Sequence, residues 1–186
     1  IYLDRAGASS ARDYLINNTI VGNTGLRSIE ATNEASVTLR NNIIEHSGTV
    51  DAYACGIFAS SVIESNNYQG DASCGFTNDV VSSVVLGSLT QASNGTFYYP
   101  LQSGTAVDGG VNTALPGEGT LGFDIDGDDT TDNPIDVDQI GNVRVLNGTV
   151  DAGAYERPLL AAGTAEVTNA GITGWYTDMQ LTSTDL

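Results

Sequence analysis

Three observations predict an all-β chain and, within that class, the final coils of a right-handed parallel β-helix. The first is a repeat. Asn17-Asn18-Thr19-Ile20 is echoed 24 residues later by Asn41-Asn42-Ile43-Ile44, with Leu15 matching Leu39. A further shift of 19 residues sets Phe58 under Leu39, Ser60 under Asn41 and Ile63 under Ile44, so three segments share an apolar, small-polar, apolar stencil. Stacked coils place equivalent side chains one strand spacing apart, about 4.8 Å, and an asparagine at an inward bend then hydrogen-bonds its counterparts above and below. Chance recurrence in an Asn-rich chain is the alternative. The second observation is the near absence of helical periodicity: apolar residues alternate or form short runs between Gly, Asn, Ser and Asp, which is the pattern of strands and turns. The third is the spacing of the two cysteines.

Residues 1–85 are accordingly assigned to coils. The chain opens on Ile1 in strand pattern with no visible leader, so an upstream portion is expected. The first rung runs from Leu15 to Ile20, and the 24-residue coil after it carries an excursion around Arg27-Ser28-Ile29-Glu30. The second rung is Leu39 to Ile44, and the third lies around Ile57-Phe58 and Ile63. Val80-Val81 and Val84-Val85-Leu86 are further strand-like runs, and the 22 glycines serve tight corners. From about residue 86 the stencil stops. Residues 86–157 form a closing segment, and residues 158–186 a linker and the beginning of a truncated β module. In that module Ala165 to Val167, Trp175-Tyr176 and Met179 to Leu181 alternate as strand.

Cys55 and Cys74 are also 19 residues apart, the offset that relates the second and third rungs. They therefore fall at equivalent places on adjacent coils, where one rung of rise satisfies the Cα separation of about 4.4 to 6.8 Å that a disulfide needs. Unpaired core thiols or half of a zinc site are the alternatives, and zinc is poorly supported by one histidine and no C-x-x-C pair. A Cys55–Cys74 disulfide implies an oxidising, extracytoplasmic compartment.

Charge narrows the partners. The net charge is −17, from 23 acids against 6 bases, all of them arginine. Such a surface repels nucleic acid and anionic membrane, because no basic patch releases counterions from phosphate. No run of eighteen apolar residues exists, so no membrane insertion is expected within this chain. The length allows one domain with a real core.

Beyond residue 86 the motifs resemble a known family. Leu86-Gly87-Ser88-Leu89, Asn94-Gly95-Thr96 and the run Pro100-Leu101-Gln102-Ser103-Gly104-Thr105-Ala106-Val107-Asp108-Gly109-Gly110 are similar to the closing segment of bacterial and archaeal β-helix surface proteins of the choice-of-anchor Q domain family. Asp138-Gln139-Ile140-Gly141-Asn142-Val143-Arg144, then Val150-Asp151-Ala152-Gly153-Ala154-Tyr155-Glu156, resembles that family's terminal signature. The likeness covers roughly residues 14–157 and departs from the pattern at Val143, where a proline is usual, and in an acidic insertion. It implies an exported protein, secreted or at the cell surface, with an anchor that varies from member to member; it does not imply an enzyme. A physical reading of the signature pairs Arg144 with Glu156 or Asp151 to cap the open end of the β-helix, where unpaired backbone groups need cover. The alternative is solvated charge.

The insertion is the strongest candidate for site chemistry. Asp124-Ile125-Asp126-Gly127-Asp128-Asp129-Thr130-Thr131-Asp132 sets carboxylates at loop positions 1, 3, 5 and 9, with Gly127 at the bend and the Thr130 carbonyl at position 7. Calcium takes six to eight hard oxygens at about 2.3 to 2.6 Å, and alternate acids on a curled loop supply them. The spacing resembles the short calcium loops of integrin-type propeller repeats and thrombospondin-like repeats, and differs from the EF-hand loop in its glycine position and missing final glutamate. Asp136 and Asp138 stand near enough in sequence to add ligands or a second shell. Eight acids and no base lie between Glu118 and Asp138, so the ligand set Asp124, Asp126, Asp128, Thr130 and Asp132 around a structural Ca²⁺ is expected. A solvated acidic loop is the alternative.

Enzymatic readings are weaker. Lyase chemistry on uronates needs a base beside calcium, and hydrolysis needs paired carboxylates with a substrate clamp. The chain has no lysine, and its one histidine, His46, sits beside Glu45 and Ser47. Arg5, Arg12, Arg27 and Arg40 lie near the coils without an adjacent carboxylate pair in view. Tyr14, Tyr53, Tyr68, Tyr98 and Tyr99 are candidate stacking platforms for sugars, and Asn17, Asn94 and Asn147 open glycosylation sequons. The expectation is therefore an extracellular or cell-surface structural or adhesive protein, calcium-stabilised, with glycans or neighbouring surface proteins as partners. A fragment of a polysaccharide lyase or glycoside hydrolase is the alternative.

Overall fold

The computed structural model describes residues 1–5, 12–33, 36–46, 53–57, 61–75, 80–81, 84–115, 136–158, 165–169 and 172–176. Among these the fold is all-β; the helical segments are the single 3-10 turns Ala72–Cys74 and Asn112–Ala114. Ten strands make the first part: β1 (Tyr2–Arg5), β2 (Asp13–Ile16), β3 (Thr19–Asn23), β4 (Arg27–Asn33), β5 (Ser36–Arg40), β6 (Ile43–His46), β7 (Tyr53–Ile57), β8 (Ser61–Ser65), β9 (Tyr68–Gln69) and β10 (Val80–Val81). They form three sheets, ordered β1-β4-β7, β2-β5-β8 and β3-β6-β9-β10, and the pairings within them are parallel. The chain visits the three sheets in turn, returning to the first after β3 and again after β6.

The register agrees with the predicted one for the first two rungs: Leu15 pairs with Leu39 and Ile20 with Ile44. It corrects the third. Leu39 pairs with Glu64 and Ile43 with Tyr68, so the counterpart of Asn41-Asn42 is Asn66-Asn67, 25 residues on from Asn42 to Asn67, and not the Ser60 segment. The bend supplies the reason. Asn17, Asn41 and Asn66 have φ of 55°, 53° and 52°, a left-handed conformation that costs an ordinary L-residue about 1–2 kcal/mol and that asparagine tolerates. A second correction concerns Arg27-Ser28-Ile29-Glu30: these residues belong to β4, the central strand of the first sheet.

Inside the bend stands the expected ladder. Asn18 donates from its backbone N–H and its Nδ2 to Asn42 Oδ1 at 3.0 and 3.1 Å. Asn42 does the same to Asn67 Oδ1 at 3.2 and 2.8 Å. The amides also brace the preceding coil, Asn42 Nδ2 to the Leu15 carbonyl and Asn67 Nδ2 to the Leu39 carbonyl, both 2.8 Å. Asn42 and Asn67 are fully buried, so these bonds satisfy groups that water cannot reach.

Side-chain alternation splits the core in two. Ile44 faces the coil interior with Leu15, Ile29, Val37, Leu39 and Ala54. Its neighbour Ile43 points to the opposite face of β6 and packs with Tyr68, Leu101, Ala106, Ala152 and Tyr155. The third sheet is therefore covered on both faces, by the coils on one and by the closing segment on the other. Apolar residues at both Ile43 and Ile44 follow from that double burial.

Cys55 and Cys74 are bonded, with Cα atoms 4.6 Å apart. The predicted pair is correct and its rationale is not. Cys55 lies in β7, paired in register with Ile29 of β4, whereas Cys74 ends the 3-10 turn Ala72–Cys74; the two are not equivalent positions of successive coils. Asp71 caps that turn, accepting the Ser73 N–H at 2.8 Å, and Gly75 closes it at φ 67°.

Among the described residues the later strands pair antiparallel. β11 (Val85–Leu86) pairs with β14 (Leu101–Ser103) and β12 (Thr90–Gln91) with β13 (Phe97–Tyr98). β15 (Val145–Leu146) and β16 (Thr149–Val150) are joined by Asn147-Gly148, with φ 56° and 87°, the positive-φ pair that a two-residue hairpin of matching twist requires. β17 (Ala165–Asn169) and β18 (Ile172–Tyr176) form a separate hairpin, in the region predicted as alternating strand; Met179 to Leu181 lie outside the described residues.

Candidate functional site

The closing segment runs along the side of the stack and touches all three coils at the asparagine bend. Asn17 Nδ2 donates to the Asp151 carbonyl at 3.2 Å. Asn41 exchanges two bonds with the Val111 backbone, at 2.9 and 3.1 Å, and its carbonyl accepts the Gly153 N–H at 2.7 Å. Asn66 Nδ2 and the Tyr68 hydroxyl both donate to the Gly109 carbonyl, at 2.9 and 2.8 Å. Thr19 Oγ1 accepts the Ala154 N–H at 2.9 Å. The outer asparagines thus fasten the segment, while the inner ones hold the coils together. At Gly153 the backbone has φ 94°, and a Cβ there would come within 2.7 Å of Thr19 Oγ1 and 2.8 Å of Ile43 Cδ1. Glycine is required on both counts.

Beneath this segment four charged side chains come together: Asp138, Arg144, Asp151 and Glu156, all nearly or wholly buried. Three were singled out in the sequence; Asp138 was offered there as an accessory calcium ligand. Asp138 instead spends its oxygens on the chain: Oδ1 accepts the N–H groups of Ile140 and Asn142 at 2.9 and 2.8 Å, and Oδ2 accepts the Glu156 N–H at 3.0 Å. Asp151 accepts the N–H groups of Asp108 and Arg157 at 2.6 and 2.7 Å. Glu156 Oε2 accepts the Asp151 N–H at 2.9 Å, and its Oε1 the Leu146 N–H at 3.4 Å. The guanidinium of Arg144 donates to the Gly153 carbonyl. Each carboxylate satisfies backbone donors that would otherwise be buried without partners, and together they fix the path of the segment.

Burial sets the electrostatics. Loss of water raises Glu156 from 4.5 to about 7, against the lowering effect of its N–H donors and of Arg144. Asp151 is raised for the same reason, opposed by the Asp108 and Arg157 N–H bonds. Burial lowers Arg144, and attraction to Glu156, Asp138 and Asp151 opposes that shift. The centre's carboxylate oxygens face the protein's own amides. Two clefts flank it: one of about 220 Å³ lined by Ile16, Asn17, Leu115, Val137, Gln139 and Arg144, and one of about 250 Å³ lined by Val107, Asp108, Leu146, Asn147, Asp151 and Arg157.

Asp124, Asp126, Asp128, Thr130 and Asp132 lie outside the described residues. Among the described residues no group of three or more His, Cys, Asp and Glu is arranged to hold a metal ion, and no helix is long and apolar enough to cross a membrane. His46 lies in β6 opposite Asn23. Arg12 bridges two strands of the second sheet, donating to the Val37 carbonyl and to Ser61 Oγ, both at 2.9 Å. Of the candidate stacking platforms, Tyr14 is exposed, Tyr68 is buried, and Tyr98 stacks on Tyr155 with centroids 4.9 Å apart. The sequence reading overlooked Asn66-Asn67, which the repeated Asn-Asn dipeptide itself signals, and the Asp71-Ala72-Ser73-Cys74-Gly75 turn, whose capping Asp and terminal Gly are visible in the sequence.

Comparison of the chain with protein-family models, with curated proteins and with solved structures found no match in any of the three.

Proposed function

We propose that this chain carries the final coils of a right-handed parallel β-helix in a protein that is exported and acts at the cell surface or outside it as a structural or adhesive component, a member of the choice-of-anchor Q domain family. The observation that carries the reading is the use of its polar side chains. The inner asparagines, the outer asparagines and the buried acids are committed to bonds within the chain, which suits a rigid scaffold and leaves none of these groups aimed at a reacting atom. The three parallel sheets visited in turn support the β-helix, and the disulfide supports export. Glycans or neighbouring surface proteins are the proposed partners, through the exposed outer faces of the coils. A structural Ca²⁺ bound by the loop from Asp124 to Asp132 is part of the proposal and rests on the carboxylate spacing.

The test is incubation with pectin, alginate and chondroitin, read by unsaturated-product absorbance, by reducing ends and by co-sedimentation, with antibody labelling of intact source cells. Surface labelling and polysaccharide retention without turnover are expected. Turnover that disappears in His46→Ala would establish the enzymatic reading in its place.

A further inference from the structure

The outer face of the second sheet carries positive charge with no acid beside it in its strands. Leu15, Val37 and Leu39 point into the coil interior, so by strand alternation Tyr14, Ile16, Thr38 and Arg40 point out. Register sets the outward residues in cross-strand rows: Tyr14, Thr38 and Ile63 form one, and Ile16, Arg40 and Ser65 the next. The acids of these three strands, Asp13 and Glu64, share the parity of Leu15 and Leu39 and belong to the other face. On the first sheet, by contrast, Arg27 is paired with Glu30 at 2.6 Å. Arg40 has no ion pair with an acid among the described residues, and its Nε and the Thr38 Oγ1 are buried with no hydrogen-bond partner. Thr38 is 4% exposed, whereas Tyr14 and Ile63 on either side of it are 47% and 41% exposed. Arg12, bonded to Ser61 Oγ at 2.9 Å, sets a second cation at one end of the same face.

We propose that this face binds a carboxylate-bearing sugar, a uronate residue of an acidic polysaccharide, a proposal that rests on the reading of the chain as a glycan-binding surface component. A pyranose ring has a face of C–H groups that lies flat on an aromatic ring, and Tyr14 offers a rigid, half-exposed ring of that kind. A uronate carries its carboxylate at the ring edge. Arg40 is the diagonal neighbour of Tyr14 across the strand pair, within reach of a group stacked on that ring, and a guanidinium grips a carboxylate through two parallel N–H donors. Charge selects the ligand class. The chain carries −17 overall, but at physiological ionic strength the field of exposed charges fades over about 8 Å. An anion on this face therefore meets Arg40 and Arg12 more strongly than the acids elsewhere. Ile63 extends the contact strip to a third coil.

The experiment is isothermal titration of the full chain, at physiological salt and with and without chelator, using a short oligogalacturonate, its methyl ester, a neutral cello-oligosaccharide and poly-glutamate. The oligogalacturonate is expected to bind in both buffers, and the ester and the neutral sugar to bind about tenfold more weakly or worse, since they lack the charge-assisted pair. Arg40→Ala and Tyr14→Ala should each weaken binding about tenfold without changing the circular dichroism spectrum, Arg40→Lys should weaken it because an ammonium lacks the fork, and Tyr14→Phe should keep it. Tyr14→Ala, at a half-exposed position, carries the test if Arg40→Ala fails to fold. Equal binding of acid and ester refutes the proposal, and poly-glutamate binding as tightly as the sugar marks a site for acidic peptide instead. Binding that requires calcium and survives both alanine variants is bridging by the acidic surface, and also refutes it. Polysaccharide retention that survives both variants removes this face and leaves the surface-component reading standing; a native chain that retains no polysaccharide removes the glycan-binding reading as well.

Discussion

Replacing Asn42 by Ala removes four side-chain hydrogen bonds at once: two accepted from Asn18, one donated to the Leu15 carbonyl and one donated to Asn67. The site is fully buried, so water does not replace them. At about 1 kcal/mol net for each bond the loss is about 4 kcal/mol. For a chain of this length that corresponds to a fall in Tm of roughly 8–16 °C. Asn18→Ala is the matched control. Asn18 is only half-buried and its side chain loses one bond to Asn42 and one to the Ile16 carbonyl, so about 1–2 kcal/mol is expected there. Urea unfolding followed by far-UV circular dichroism gives both values. If Asn42→Ala costs less than 1 kcal/mol, or no more than Asn18→Ala, the ladder is not what holds successive coils together.

Three further outcomes are expected. Because Glu156 rises from 4.5 to about 7 on folding, the folded chain between those values keeps a proton that the unfolded chain has lost; this stabilisation, about 3 kcal/mol, is fully present below pH about 4.5 and is lost as pH rises through about 7. Urea midpoints at pH 5 and pH 8 should show it, and Glu156→Gln should flatten the difference. Alkylation without reductant should find no free thiol, and reduction should lower stability by about 2 to 4 kcal/mol; two labelled cysteines in intact mass would contradict the bond. Chelation should lower Tm by several degrees, with calcium restoring it and magnesium restoring it poorly, and Asp126→Asn with Asp128→Ala should abolish the response; identical melts in chelator and in millimolar calcium would remove the metal from the proposal.

Pattern by itself determined the all-β class, the register of the first two rungs and the first step of the inner asparagine ladder, from Asn18 to Asn42, because each depends on short-range alternation and on a dipeptide recurring at the coil length. It also named Cys55 with Cys74, and three of the four buried charges under the closing segment. Tertiary structure alone decided the rest. The apolar stencil favours an offset of 19, because an offset of 25 sets Glu64 against Leu39 and Gln69 against Ile44; the strand pairing nonetheless puts Asn66-Asn67 under Asn41-Asn42, where the left-handed backbone at Asn66 suits asparagine. The lateral course of the closing segment depends on contacts such as Asn41 with Val111, 70 residues apart, and Asn17 with Asp151, 134 apart, which no local pattern carries. Asp138 looked like one more acid in an acidic stretch; two of the amides on it, from Ile140 and Asn142, belong to its own turn, but the Glu156 N–H reaches it from 18 residues on, and burial then turns a surface-type charge into part of the core.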